Sequence, residues 1–321
     1  MNTKDRFLGC MLGAAVGDAM GFPVEFMRVS GIRSCLGPEG VTGFDSLERL
    51  PRHRFPIGFY SDDTQMTLAT ARSLLKSDPT NLDDIMTKIS QEYAQWVESP
   101  ENVRAPGFTC TKGALNLLKG ISWRKSGVSG DGCGAAMRTA PIGLLFYNDI
   151  HPLLNTARAA SRCTHKDPTP SEAGVATAYI IGDILRNGDF ESYNAQDVYK
   201  NVCGLKRDPK LTDKIEEVKK ALENPHQVRA MNMLGDGFSG HTALALSLYS
   251  FLKNPENFRN AILTGTNING DSDSVASIAG AISGAYNGIQ AIPEEWIKRL
   301  EGSEELIDVA EKLYEKQRRL N

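Results

Sequence analysis

The sequence predicts an all-α fold, a single compact multi-helix domain spanning residues 1–321, and three observations carry that prediction. Apolar residues recur at helical spacing, alternating β-branched runs are scarce, and two stretches carry a small residue at every fourth position. Those stretches are Gly9, Gly13, Gly17 and Gly21 near the start, and Ala276, Gly280, Gly284 and Gly288 near the end. Glycine inside a helix costs roughly 0.5–1 kcal/mol relative to alanine, so a ridge of it implies a neighbour that must come close. The two ridges are expected to belong to central helices packed on each other. A chain of 321 residues lies near the size at which single cores stop growing.

In chain order, Lys4 and Arg6 precede an apolar run, Phe7 to Val16, that looks like a short signal sequence. The run is interrupted by glycine, meets Asp18 early and falls short of the ~20 residues a spanning helix needs. It reads as a core helix. Further helices are expected over 62–76, 82–97, 109–119, 134–147, 152–161, 171–187, 211–222, 240–252 and 256–266, and another after Asp271. Leu306, Val309, Ala310 and Leu313 form a last one, with Ser303 as its N-cap. The polar segment 203–235, with Lys206-Arg207-Asp208 and Asn224-Pro225-His226, is expected to leave the core.

A formal net charge of −3 provides no basic field for nucleic acid. The six cysteines show no Cys-x-x-Cys pair, which points to reduced thiols in the cytoplasm rather than a disulfide framework or zinc site. His53, His151, His165, His226 and His241 lie far apart with no metal-ligand spacing. No membrane partner is expected, and the chain is expected to be a monomer.

Two acidic clusters carry the chemistry. Gly270-Asp271-Ser272-Asp273-Ser274 opens the second small-residue helix, and Tyr60-Ser61-Asp62-Asp63-Thr64-Gln65-Met66 opens the helix with Leu68, Ala71 and Leu74. A single Ser-Asp-Asp is an ordinary helix cap. Two such clusters, if both buried, place four carboxylates where they cannot stay ionised side by side without cations. Divalent ions with hard oxygen ligands, Mg²⁺ or Mn²⁺, would balance them.

With Gly17-Asp18-Ala19-Met20-Gly21-Phe22-Pro23-Val24-Glu25-Phe26, Gly132-Cys133-Gly134-Ala135-Ala136-Met137-Arg138, Ala140-Pro141-Ile142-Gly143 and Thr164-His165, these clusters resemble, in order, the motifs of the ADP-ribosylglycohydrolase family. The resemblance runs from residue 5 to about 290. It implies an all-α domain with a binuclear Mg²⁺ or Mn²⁺ centre that hydrolyses the bond between ADP-ribose and a modified acceptor. It makes Ser61, Asp62, Asp63, Asp271, Asp273 and Ser274 metal ligands, and Ser272 a residue that faces away or caps its helix. Glu25 is placed beside the metals and the substrate ribose, and Asp18 is read as structural, hydrogen-bonded to a neighbouring loop. The run Gly130-Asp131-Gly132-Cys133-Gly134 suits a diphosphate, and His165 matches the histidine near it. Serine stands at 61, 272 and 274 where the family commonly has threonine, cysteine stands at 133 where asparagine is frequent, and the segment Gly237–Leu244 lacks a glutamate often found there.

The expected reaction is hydrolysis at the anomeric carbon of the proximal ribose, with Glu25, Asp62 and Asp63 as candidates to take the proton of the attacking water. Two other readings stay open, a two-metal phosphoesterase or pyrophosphatase and a non-catalytic ADP-ribose binder. The partners are ADP-ribose and a modified protein or small-molecule acceptor.

Overall fold

The computed structural model describes residues 1–51, 55–188, 192–205 and 208–320. His53, Lys206 and Arg207, named above, lie outside the described residues. Among the described residues seventeen α-helices form in chain order. The first six are α1 (Thr3–Gly21), α2 (Val29–Leu36), α3 (Phe44–Leu47), α4 (Asp62–Lys76), α5 (Leu82–Glu98) and α6 (Phe108–Leu118). The middle of the chain forms α7 (Ala140–Leu145), α8 (Ile150–Arg162), α9 (Pro168–Asn187), α10 (Ala195–Gly204), α11 (Pro209–Leu222) and α12 (Gln227–Leu234). The last five are α13 (Gly240–Lys253), α14 (Phe258–Thr266), α15 (Ser272–Asn287), α16 (Glu294–Arg299) and α17 (Ser303–Arg318). Among the described residues only isolated bridges, Val128 with His165 and Gly132 with Ser239, have β character.

The expected ridge contact is the axis of the molecule. Helices α1 and α15 run antiparallel in near backbone contact. A Cβ built on Gly9 would lie 2.3 Å from the Gly284 oxygen, on Gly13 2.3 Å from Gly280, on Gly17 2.0 Å from Ala276 and on Gly21 2.4 Å from Ser272. Helix α1 is apolar and long enough to cross a membrane, yet 89% of its apolar window is buried inside the protein. The buried Arg6 donates to the carbonyls of Ala285 (3.0 Å) and Tyr286 (2.9 Å), placing a cation at the negative end of α15. The other end of α15 is thereby held against the C-terminus of α1, where the acidic residues are.

Three expectations are corrected. The stretch 134–147 is a 3₁₀ turn, Cys133–Arg138, followed by α7, because Pro141 lacks the amide a continuous helix would need. The Met137 carbonyl, the acceptor that Pro141 cannot serve, takes a hydrogen bond from Thr67 Oγ1 at 3.1 Å instead. Within 203–235, α11 and α12 bury Leu211, Ile215, Val218, Ala230, Met231 and Leu234, so this segment docks on the core. Ser303 is the first residue of α17, and its N-cap is Gly302 in a left-handed conformation (φ 62°). Helices α2, α3, α10, α12 and α16 carried too short a pattern to be read.

Candidate metal centre and its cavity

Two helix N-termini converge here because their caps are tied to a third helix. Asp18, inside α1, accepts from the Ser61 amide (2.9 Å), the Thr64 amide (2.9 Å) and the Thr64 hydroxyl (2.6 Å), satisfying orphan donors of α4. Its structural role is thus as expected, with the helix start of α4 as its partner. Ser61 Oγ accepts from the Asp63 amide at 3.2 Å, and Asp271 accepts from the Ser274 amide at 3.3 Å to cap α15. Ser272 points away and donates to the Gly21 carbonyl at 3.0 Å.

The result is a floor of carboxylates. Glu25, Asp62, Asp63, Asp271 and Asp273, with Ser274, line one cavity of about 340 Å³ in which, among the described residues, no lysine or arginine takes part. Ser61, fully buried at its cap, does not line it. Glu25, Asp271 and Asp273 each place an oxygen within 4.8 Å of the others. Burial, reinforced by neighbouring carboxylates, pushes Asp62, Asp63 and Asp273 well above the ordinary range. Glu25 is raised to about 8 by burial first, then by Asp271 and Asp18. Asp63 Oδ2 and Asp273 Oδ1 are buried without a hydrogen-bond partner. Orphaned buried carboxylate oxygens, with no lysine or arginine among the described lining residues, fit hard divalent cations.

The wall is the glycine run. A Cβ on Gly130 would lie 2.3 Å from Thr109 Oγ1, and one on Gly134 2.3 Å from Cys110 Sγ, so only glycine fits between this loop and α6. Two of its amides are already used: Gly130 donates to Asp167 Oδ2 (3.0 Å) and Cys133 to the Phe238 carbonyl (2.9 Å). Asp131 accepts from Ser239 Oγ at 2.9 Å and Lys210 at 3.2 Å. The Cys133 thiol sits 3.3 Å from Asp271 Oδ2 and 3.1 Å from Ser274 Oγ, on the acidic floor. His165 packs its ring edge against Gly134, with Nδ1 2.8 Å from Thr164 Oγ1. Burial, then the nearby Arg138 charge, lowers its pKa to about 3, so the imidazole is neutral.

Residues not singled out from sequence complete the cavity. Phe26, Phe108 and Phe238 line it while remaining 57%, 77% and 52% exposed, and the Phe26 and Phe238 rings lie 6.3 Å apart. Isolated phenylalanines after short polar stretches carry no signal that separates them from core residues. Among the described residues the non-glycine positions with left-handed backbone, Phe26 (φ 57°) and Ala105 (φ 55°), both line this cavity, and such strain is commonly stored at functional sites.

The comparisons with known proteins follow that geometry. A family model described as ADP-ribosylglycohydrolase matches residues 1–321. The chain belongs to the ADP-ribosylglycohydrolase family. It is therefore an enzyme of the hydrolase class. Over 97% of both chains it is 32% identical to a protein of Archaeoglobus fulgidus. It is 27% identical to the ADP-ribosylhydrolase ARH3 of Mus musculus, covering 96% of this chain and 91% of that one. It is also 27% identical to the ADP-ribosyl-[dinitrogen reductase] glycohydrolase of Rhodospirillum rubrum, covering 94% and 92%. A solved structure titled ADP-ribosylglycohydrolase-related protein complex superposes with a TM-score of 0.77 at 28% identity, over 98% and 99% of the two chains. In this ADP-ribosylglycohydrolase the motif residues Glu25, Asp62, Gly132, His165 and Asp271, drawn from five separate stretches of chain, line a single cavity.

Proposed function

We propose that this protein removes ADP-ribose from a modified protein side chain or related conjugate by hydrolysing the glycosidic bond at the anomeric carbon of the proximal ribose. The carrying observation is the floor of buried, partly unpartnered carboxylates beneath a glycine-walled cavity with an aromatic mouth. Asp62, Asp63, Asp271, Asp273 and Ser274 would hold two Mg²⁺ or Mn²⁺ ions, with Ser61 contributing its remaining lone pair. When bound, such ions hold sugar hydroxyls and lower the pKa of water.

The chain's own groups do the rest. Glu25 is the least enclosed carboxylate of the cluster and the best placed to take a proton from a water entering through the cavity. Asp62 is more constrained, since its Oδ2 accepts from the Gly107 amide at 3.3 Å. The water oxygen bonds to the anomeric carbon, the bond to the acceptor's nitrogen or oxygen breaks, and the departing atom takes up a proton. Positive charge developing on the ribose ring is stabilised by the surrounding carboxylates. The His165 ring is fixed by the contact of Nδ1 with Thr164 Oγ1, which leaves Nε2 facing the glycine wall where a diphosphate would lie. The three exposed phenylalanines offer flat apolar surface to a base. Six cysteines with no Cys-x-x-Cys pair suit a cytoplasmic protein, and the reading takes it as a monomer.

The test is incubation with a panel of acceptors ADP-ribosylated on arginine, serine, DNA or small molecules, with products separated by chromatography. Free ADP-ribose, abolished by EDTA and restored by Mg²⁺ or Mn²⁺, is the expected result. Release of AMP or phosphate would assign a phosphoesterase, and binding without turnover a non-catalytic binder.

A further inference from the structure

We infer that Arg104 is a positioning residue for Asp62, acting from outside the cavity through a strap of backbone, residues 104–107. The inference rests on the metal-centre reading above. Its side chain is 6% exposed and clasped by two carboxylates. The guanidinium donates to Glu301 Oε2 at 2.5 Å and Oε1 at 2.9 Å, and to Glu101 Oε2 at 2.8 Å. It also donates to the Tyr60 carbonyl at 3.3 Å, and lies 5.8, 5.1 and 5.4 Å from the ring centres of Phe55, Phe59 and Tyr60. A planar fork held by two acids and three rings has one orientation open to it.

That orientation matters because the backbone of the same residue touches the acidic floor. The Arg104 carbonyl accepts from the Asp62 amide at 3.0 Å, and three residues on the Gly107 amide donates to Asp62 Oδ2 at 3.3 Å. The strap therefore grips Asp62 at both its backbone and its carboxylate. Between these two contacts the chain passes through Ala105, held at φ 55°, and Pro106. A left-handed alanine persists only where its surroundings hold it, and here the Arg104 clasp on one side and the Asp62 bonds on the other supply the hold. Arg104 lines a separate hollow with Tyr60, Gln65, Trp96 and Glu301 and does not line the carboxylate cavity. Glu301 itself is anchored, its amide donating to the Gly58 carbonyl at 2.9 Å, so the turn before α17 holds Arg104 from 197 residues away and, through it, the start of α4.

The experiment is titration of the metal-stripped full chain with Mn²⁺ by calorimetry and electron paramagnetic resonance, for the wild type, Arg104→Lys and Glu301→Gln. Glu301 lies 23% exposed at the rim, so its variant guards against the case in which Arg104→Lys fails to fold. The wild type is expected to bind two ions. Both variants are expected to bind one of them at least roughly tenfold more weakly, the range seen when a partner of a metal ligand is lost, and to lose kcat rather than KM. Lower melting temperature with unchanged Mn²⁺ affinity and kcat would overturn the inference, leaving Arg104 a structural clasp. A wild type that binds two ions beside variants that bind both equally well overturns this inference alone, whereas a wild type that binds no Mn²⁺ overturns the metal-centre reading and this inference with it.

Discussion

Replacing Asp273 with asparagine keeps the side chain's size and removes its charge, and the site sets what this does to stability. In the metal-free protein Asp273 is pushed well above 3.8 by burial first, then by Glu25, Asp271, Asp63 and Asp18. The unfolded chain releases this proton near the ordinary value while the folded chain keeps it. A carboxyl raised in this way contributes stability that is complete below the unfolded pKa and is lost as pH climbs towards the folded one, at about 1.4 kcal/mol per pH unit. Asparagine carries no such penalty. As pH rises above the ordinary carboxylate range in EDTA, Asp273→Asn should therefore gain on the wild type, read as a widening difference in urea midpoints. Added Mn²⁺ reverses the order. The wild type gains about 2.7 kcal/mol at a hundred times its Kd, and the variant, with weaker affinity, gains less. Turnover should fall roughly 100-fold or more, beyond the loss from disturbing a ligand's partner. A variant less stable than the wild type in EDTA at every pH, yet near normal in turnover with excess metal, would show that Asp273 is only a cap and refute the reasoning.

The central helix pair gives a paired test: Gly13→Ala sets a methyl 2.3 Å from the Gly280 carbonyl and should cost about 3 kcal/mol, the upper end of overpacking. Gly204→Ala, at a site with nothing within 4 Å, should stabilise by about 0.4–1 kcal/mol in the same melts. His165 stays neutral down to about 3, so ADP-ribose affinity measured by calorimetry should show no step near pH 6.5 that His165→Gln removes. Its lowered pKa also costs stability as pH falls below 6.5, and His165→Gln should melt progressively higher than the wild type there. Phe238→Ala should raise KM by roughly 5- to 150-fold with kcat nearly unchanged, about 1–3 kcal/mol of base stacking, and an unaltered KM would take the aromatic mouth out of substrate binding.

Much of this protein is legible from sequence because its organising features are local repeats. Glycine at every fourth position in α1 and α15 marks a ridge whichever partner it meets, and Ser61-Asp62-Asp63 and Asp271-Ser272-Asp273-Ser274 mark helix starts with more acid than a cap needs. Those patterns determined the all-α class, the paired central helices and the acidic residues that now line one cavity. Breaks set by chemistry a few residues away were harder: Pro141 divided a stretch whose apolar pattern continued, and Gly302, by taking a left-handed turn, displaced Ser303 from the cap it was expected to fill.

Tertiary structure decided everything that depends on which side chain meets which across long separations. It set the Cys133 thiol against Asp271 and Ser274, and folded 203–235 onto α13 through the buried faces of α11 and α12. It gathered Phe26, Phe108 and Phe238 at the cavity mouth, and it joined Arg104 to Glu301 so that a C-terminal turn reaches Asp62. The reason is physical. Helical periodicity and capping are written within a few residues, where side chains three and four apart share a face. The direction a loop side chain takes is settled only when helices pack at near backbone contact, as α1 and α15 do, and exclude every other arrangement of the loops between them.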